Sequence, residues 1–279
     1  MKTLYTSDLH VDGLHYKRLY NLVNNNKIDC LIIGGDLIPN QPDFFSSVDN
    51  QRDFLQKSLN PFFSKLKAEK PSISVFLMMG NDDRAANMDF LEKMEEDGII
   101  NLIHKRRHKL EENLHLIGYG YVPITPFRCK DWERFDTQEK KALQAPEKSF
   151  FSSAQGMREI DINKVIGKFN IIEEDMKELA EMSDPERTIY VMHAPPFNTT
   201  LDRIHGGIPC GSKSLRDFIE KCQPFLTLHG HIHESPMVSG SFMEKTGRTV
   251  SINPGQEHGV LHAVVFDTAD LMGTLQYLK

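Results

Sequence analysis

Seven side chains with oxygen or imidazole donors stand just after apolar runs in this sequence. Asp8 and His10 follow Leu4–Ser7, Asp36 follows Cys30-Leu-Ile-Ile-Gly-Gly, Asn81 follows Ile73–Met79, His193 follows Thr188–Met192, and His231 and His233 follow Phe225–Leu228. A single histidine at a strand end is ordinarily a structural or surface group. Five donor-bearing ends in the order Asp-Leu-His, Gly-Gly-Asp, Gly-Asn-Asp-Asp, His-Ala-Pro-Pro and Gly-His-Ile-His are not accounted for that way. Carboxylate and imidazole with one amide and no thiolate suit first-row divalent ions such as Mn, Fe, Zn, Co or Ni rather than a soft or purely alkaline-earth ion. Seven donors also exceed the needs of one tetrahedral ion. Two ions about 3.5–4 Å apart, sharing one carboxylate, would use them all, and such a pair can hold an attacking hydroxide and clamp both sides of a phosphorus centre.

These donors meet only if the elements before them lie side by side. Leu4–Ser7 reads as extended, and Leu14–Val23 has apolar residues at helical spacing. Cys30–Ile33 and Ile73–Met79 are continuous apolar runs stopped by glycine, the pattern of strands buried on both faces. Between them a helical stretch, Asp49–Lys70, is interrupted by Pro61. Were the first three strands parallel neighbours, their carboxyl ends would converge at the edge where α/β sheets bind ligands. Strands are expected at Ile99–His104, His108–Glu111 and His115–Tyr121, then a helix at Ile171–Met182 and one at Ser212–Cys222, N-capped by Ser212 and stopped by Pro224. The tail from Thr249 reads as short strands turning at Asn253-Pro-Gly. From Pro123 to Lys164, with the only Trp at 132, no period emerges, and the segment reads as an irregular insertion or cap over the sheet edge. The whole of 1–279 is read as one domain carrying that insertion.

Composition bounds the reading. The chain has 279 residues, 33 Lys+Arg against 39 Asp+Glu, a formal charge of −6, and is 39% hydrophobic, as ordinary globular proteins are. That balance gives no strong nucleic-acid signal; the one basic cluster, Lys105, Arg106, Arg107 and Lys109, reads as a solvated turn. Cys30, Cys129, Cys210 and Cys222 are scattered and read as reduced thiols, which points to the cytoplasm. The opening MKTLYTSDLH turns polar too early for a signal peptide, and no apolar run nears the roughly 20 residues of a membrane span. Dinucleotide, P-loop, serine-hydrolase and zincin motifs do not occur. Oligomeric state is not legible.

On these motifs, from Asp8 to His233, the sequence resembles the calcineurin-like metallophosphoesterases, in their small bacterial and archaeal branch. The resemblance implies an α/β fold, a four-layer sandwich of two mixed β-sheets flanked by α-helices. It implies two divalent metal ions, Mn first among the candidates, one on Asp8, His10, Asp36 and His233 and the other on Asp36, Asn81, His193 and His231. Asp36 would bridge them, and Asn81 would also lie close to the substrate phosphate. The implied reaction is hydrolysis of a phosphate ester, nucleotide-like esters among them, by a metal-bridging hydroxide. A nuclease of the DNA-repair type and a non-catalytic metal-binding scaffold are the alternative functions.

One position departs from the family pattern. Where Gly-Asn-His-Asp or Gly-Asn-His-Glu is usual, this chain has Gly80-Asn81-Asp82-Asp83. The missing imidazole is the group thought to protonate the leaving oxygen or stabilise the transition state. An ordinary Asp is ionised at neutral pH and has no proton to give. Three readings stay open: a leaving group that needs no protonation, an acid from elsewhere with His205 and His258 as candidates, or a structural Asp82 binding a loop amide. The first tilts the substrate towards phosphodiesters or activated leaving groups. Arg84 could grip phosphate oxygens or pair with Asp82 or Asp83. Gly211-Ser212-Lys213 could bind an anion at a helix N-terminus or simply cap it. His229 is a support for a ligand or a packing residue; Asp12, Asn40 and Asn253 could orient ligands or simply form turns, which the sequence does not distinguish, and they are left out of the site.

Overall fold

The computed structural model describes residues 1–39, 43–139 and 145–279. Asn40, and residues 140–144 within the 123–164 segment, lie outside the described residues. The chain runs β1 (Lys2–Thr6), α1 (His15–Asn25), β2 (Cys30–Ile33), α2 (Ser47–Phe54), α3 (Asn60–Glu69), β3 (Ser74–Leu77), α4 (Met88–Glu96) and β4 (Asn101–Leu102). It continues with β5 (Arg107–Glu111), β6 (Leu114–Tyr119), β7 (Val122–Pro123), β8 (Glu133–Arg134), β9 (Ser149–Ser153), β10 (Gly156–Ile160), α5 (Ile162–Val165), α6 (Ile172–Met182) and β11 (Thr188–Met192). The last part is α7 (Lys213–Cys222), β12 (Leu226–Leu228), α8 (Ser235–Ser239), β13 (Met243–Thr246), β14 (Thr249–Ile252), β15 (Ala263–Asp267), α9 (Leu271–Thr274) and β16 (Gln276–Leu278).

Two six-stranded mixed sheets result, in the orders β16-β15-β1-β2-β3-β4 and β13-β14-β12-β11-β6-β5. β1 to β4 are parallel, as are β14, β12, β11 and β6, with antiparallel strands at the edges. The apolar runs lack alternation because each central strand is covered on both sides. Leu4, Leu31, Ile33, Val75 and Leu77 face outward to Leu19 and Val23 of α1, Phe63 and Leu66 of α3 and Leu91 of α4. Tyr5, Ile32 and Phe76 face inward and pack with Leu116, Ile189, Val191 and Leu228 of the second sheet. Ile117, Tyr119, Tyr190 and Met192 then turn their other side to Met176 and Leu179 of α6 and Leu215 and Phe218 of α7. Three apolar layers thus separate four layers of backbone, helix on sheet on sheet on helix.

Two local readings need correction. Pro61 does not interrupt the helix: α2 runs into α3 through a π-helical turn, Leu55–Leu59. Proline has no N–H to give and its ring crowds the carbonyl a turn back, and the wider π turn makes room just before it. The 123–164 segment is less irregular than its sequence. It holds the β7–β8 pair and a β9–β10 hairpin in register from Ser149↔Ile160 to Ser153↔Gly156, over a small core of Phe135, Ile166 and Ile171. Inside it Lys130 and Glu133, both without solvent exposure, pair at 2.7 Å, and Glu133 also accepts from Thr125 N at 2.8 Å. No helix among the described residues is long and apolar enough to cross a membrane.

Candidate metal centre

The carboxyl ends of β1, β2, β3, β11 and β12 open on one edge of the sandwich, and the loops there are bent sharply. Asp8, Asp36 and His231 adopt left-handed backbone with φ of 58°, 52° and 66°. That conformation costs a residue with a Cβ energy, and where it persists the surroundings enforce it. Here Asp8 N donates to Gly35 O and His10 N to Asp36 O, stitching the first two loops together. Two glycines permit the approach. A Cβ on Gly80 would stand 2.4 Å from Asp36 Oδ1, and one on Gly230 2.5 Å from Asp8 Oδ2.

Asp8, His10, Asp36 and His233 bring one donor atom each within 4.8 Å of one another. His10 Nε2 is 2.9 Å from His233 Nε2 and 3.8 Å from Asp36 Oδ2, and His233 Nε2 is 3.4 Å from Asp8 Oδ1. Beside them His193 Nε2 lies 3.2 Å from Asp36 Oδ2 and 3.1 Å from Asn81 Oδ1, and its ring centroid is 5.4 Å from that of His231. Asp36 Oδ2 therefore stands between the two groups. Burial works against charge on both carboxylates, yet His193 and His10 hold the Asp36 carboxyl well below its usual range, and His233 and His193 lower that of Asp8. Against their own burial, His10 is pushed up to about 10 by Asp36, Asp82 and Asp8, and His193 to about 9 by Asp36 and Asp8. Burial and His193 push His231 down to about 4. The buried carboxylates thus demand positive charge in their midst, and the donors around them are those that hold divalent cations.

A second layer fixes these loops, of which sequence reasoning raised His229 and Asn253 as possible supports and missed Asp83 and Gln256. Asp83 is fully buried and accepts from three backbone groups, Leu37 N at 3.0 Å, Ile38 N at 3.1 Å and Gly80 N at 2.9 Å, so one carboxylate ties the Asp36 loop to the Asn81 loop. Burial and the Asp36 charge push Asp83 up to about 7 against those three donors. Asp83→Ala leaves three buried N–H groups without an acceptor, at about 1–3 kcal/mol each, and a fall in melting temperature of roughly 6 °C or more is expected by calorimetry on metal-free protein. Asn253 does more than turn the chain: its Nδ2 donates to the carbonyls of Leu201, Gly230 and Ile232, bracing the loop of His231 and His233. Gln256 Nε2 does likewise for Thr6 Oγ1 and Ser7 O before Asp8. His229 is fully buried and is held by Met192 O, Ala194 O and Thr227 Oγ1, a packing role that joins the ends of β11 and β12.

The remaining candidates are placed as follows. Asp82 Oδ2 is 3.0 Å from His10 Nδ1, its Oδ1 accepts from Asn81 Nδ2 at 3.2 Å, and its N–H donates to Asp36 Oδ1 at 2.8 Å. Arg84 is buried and donates to Ser47 Oγ at 2.9 Å and to the Asp82 carbonyl at 3.1 Å, with its guanidinium over Phe44. His205 and His258 lie in exposed turns. Ser212 does cap α7, accepting from Leu215 N, but the free amides there are met by the insertion: Asp136 accepts from Lys213 N at 2.8 Å and Ser214 N at 3.4 Å. Asp12 accepts from Leu14 N and Arg18.

A family model of calcineurin-like phosphoesterases matches residues 1–235. In fold the chain is similar to TT1561 of Thermus thermophilus, with 17% identity and a TM-score of 0.57 over 99% of this chain and 97% of that one. It is also similar to a dimetal phosphatase from Danio rerio, with 11% identity and a TM-score of 0.52 over 95% and 92% of the two chains. No curated protein matches the sequence.

Proposed function

The chain belongs to the calcineurin-like phosphoesterase family, and from that premise we propose that it hydrolyses phosphate esters with two divalent cations, manganese first among the candidates. The reading rests above all on the Asp36 carboxylate, whose Oδ2 is flanked by His193 Nε2 at 3.2 Å and His10 Nε2 at 3.8 Å, as a carboxylate shared by two ions would be. Asp8, His10, Asp36 and His233 would hold one ion, and Asp36, Asn81, His193 and His231 the other. Bound there, the pair would supply a water of lowered pKa and positive charge facing the phosphoryl oxygens. The protein's part is to hold the donors rigidly: Asp83 fixes the Asp36 and Asn81 loops, Gly34 O backs His193 Nδ1 at 2.8 Å, and Asn253 braces the loop of His231. Asn81 is the one neutral amide of the set, which suits it to lie against an anionic substrate as well. Asp82 stands where a proton donor is usual, so phosphodiesters and esters with activated leaving groups are the favoured substrates, nucleotide-like esters among them.

Protein reconstituted with manganese is expected to cleave bis-p-nitrophenyl phosphate faster than p-nitrophenyl phosphate; the leaving group is common, so the ratio isolates diester from monoester preference. Binding of neither ion and cleavage of neither ester would defeat the reading. Metal also enters the stability. A ligand that binds only the folded state at a hundred times its dissociation constant adds about 2.7 kcal/mol. Chelation is therefore expected to lower the melting temperature by roughly 5–10 °C, with recovery on adding manganese.

A further inference from the structure

We propose that Asp82 is a positioning residue for His10, the carboxylate that fixes that imidazole as a metal ligand, and not the proton donor whose place it takes. The inference rests on the two-ion phosphoesterase reading and concerns how one of its sites is built. His10 turns Nε2 towards Asp36 Oδ2 and His233 Nε2, so Nδ1 is the nitrogen left over. That atom is buried, no acceptor meets it in full hydrogen-bond geometry among the described residues, and the carboxylate within reach is Asp82, at 3.0 Å. Buried ring nitrogens need such a partner, and histidine ligands ordinarily pass their second N–H to a carboxylate or a carbonyl, which sets ring orientation and raises basicity.

The neighbouring site shows the same construction with a different acceptor. His193 turns Nε2 towards Asp36 and Asn81 and sets Nδ1 2.8 Å from the Gly34 carbonyl. His10 Nδ1 has a carboxylate oxygen within the same reach, at 3.0 Å, where His193 Nδ1 has a carbonyl. Asp82 is well placed to serve, because its own backbone is pinned by the N–H donated to Asp36 Oδ1 and by the Gln51 side chain on its carbonyl. Three groups of the donor set, Asp36, Asn81 and His10, touch residue 82, and every one of these contacts holds the set in place.

The test is a manganese titration by calorimetry on metal-free wild type, Asp82→Ala and Asp82→Asn, with zinc-loaded protein labelled with ¹⁵N-histidine for the ring signals. Asp82→Ala is expected to weaken one of the two binding events by roughly 10–100-fold and to leave the other within about twofold. Asp82→Asn, whose amide oxygen still accepts, should recover most of that loss. The His10 Nδ1–H resonance should be present in wild type and Asp82→Asn and be lost to solvent exchange in Asp82→Ala. Two unchanged affinities and an unchanged ring signal in Asp82→Ala would overturn the inference. So would unchanged affinities with a selective loss on substrates with poor leaving groups, since that is the signature of an acid. Wild type that takes up neither manganese nor zinc would remove the two-ion phosphoesterase reading itself, a failure distinguishable from the others because it needs no variant.

Discussion

Asp36→Asn is expected to lower turnover of an aryl phosphodiester by roughly 10³-fold or more, about 4 kcal/mol of transition-state stabilisation, in protein that remains folded. The change is nearly isosteric, and the reason for so large an effect lies in which oxygen does what. Asp36 Oδ1 accepts the Asp82 N–H at 2.8 Å and lies against Gly80, where a Cβ would come within 2.4 Å. An asparagine keeps its oxygen there, since only oxygen can accept from that N–H. Its amide nitrogen then takes the place of Oδ2, 3.2 Å from His193 Nε2 and 3.8 Å from His10 Nε2, and presents two hydrogens to the point both ions would share. The site loses a negative charge and gains a donor where an acceptor is required. Calorimetric titration should show manganese uptake falling from two ions to at most one, in step with activity. An Asp36→Asn protein within tenfold of wild type, still taking up two ions, would show that this carboxylate is not shared.

The candidate ligands were legible in the sequence because each stands at a fixed place relative to a strong signal, the end of an apolar run. A strand buried on both faces must stop where its backbone turns polar, so Asp8, Asp36, Asn81, His193 and His231 are marked by position as well as by type. What supports them was not legible, because it is defined by partners far along the chain. Gln256 donates to Thr6, 250 residues away, and Asp83 reaches Leu37 across 46 residues. Nothing in the local pattern distinguishes such an amide or carboxylate from a turn former. Asp83 had one available hint: it is an acidic residue in a glycine-led loop between two buried strands, where unpaired backbone N–H groups collect. The β9–β10 hairpin was hidden for another reason. Phe150 and Phe151 are adjacent, one buried and one half-buried against the small core, so the alternation that marks a strand with one wet face is lost. Likewise Ser212 was visible as a cap, but the carboxylate that occupies the amides of α7, Asp136, comes from the insertion 76 residues before it. A sequence reading finds the helix end that could take an anion and cannot see that the chain supplies its own.

Across a series of diesters the rate is expected to fall steeply as the leaving group becomes more basic. General acid catalysis contributes typically about 10²–10⁴-fold where a group can protonate the departing oxygen. In this chain the position that usually carries that group is Asp82, and its carboxylate is already engaged, with Oδ2 3.0 Å from His10 Nδ1 and Oδ1 accepting from Asn81. His205 and His258 lie in exposed turns, and Arg84 is turned to Ser47 and the Asp82 carbonyl. A departing aryloxide carries its charge without help; a departing alkoxide does not. The penalty for replacing p-nitrophenyl by an alkyl group should therefore exceed that of an acid-assisted enzyme by roughly 10²–10⁴-fold. Measured kcat against leaving-group pKa gives the slope directly. A shallow slope, or a rate that falls at high pH as one group loses its proton, would reveal a proton donor in the site, and Asp82→Ala would then tell whether it is Asp82. A steep slope retained in Asp82→Ala, even as metal affinity drops, separates the two jobs: the chain commits this carboxylate to holding His10 and leaves the fate of the departing oxygen to the substrate.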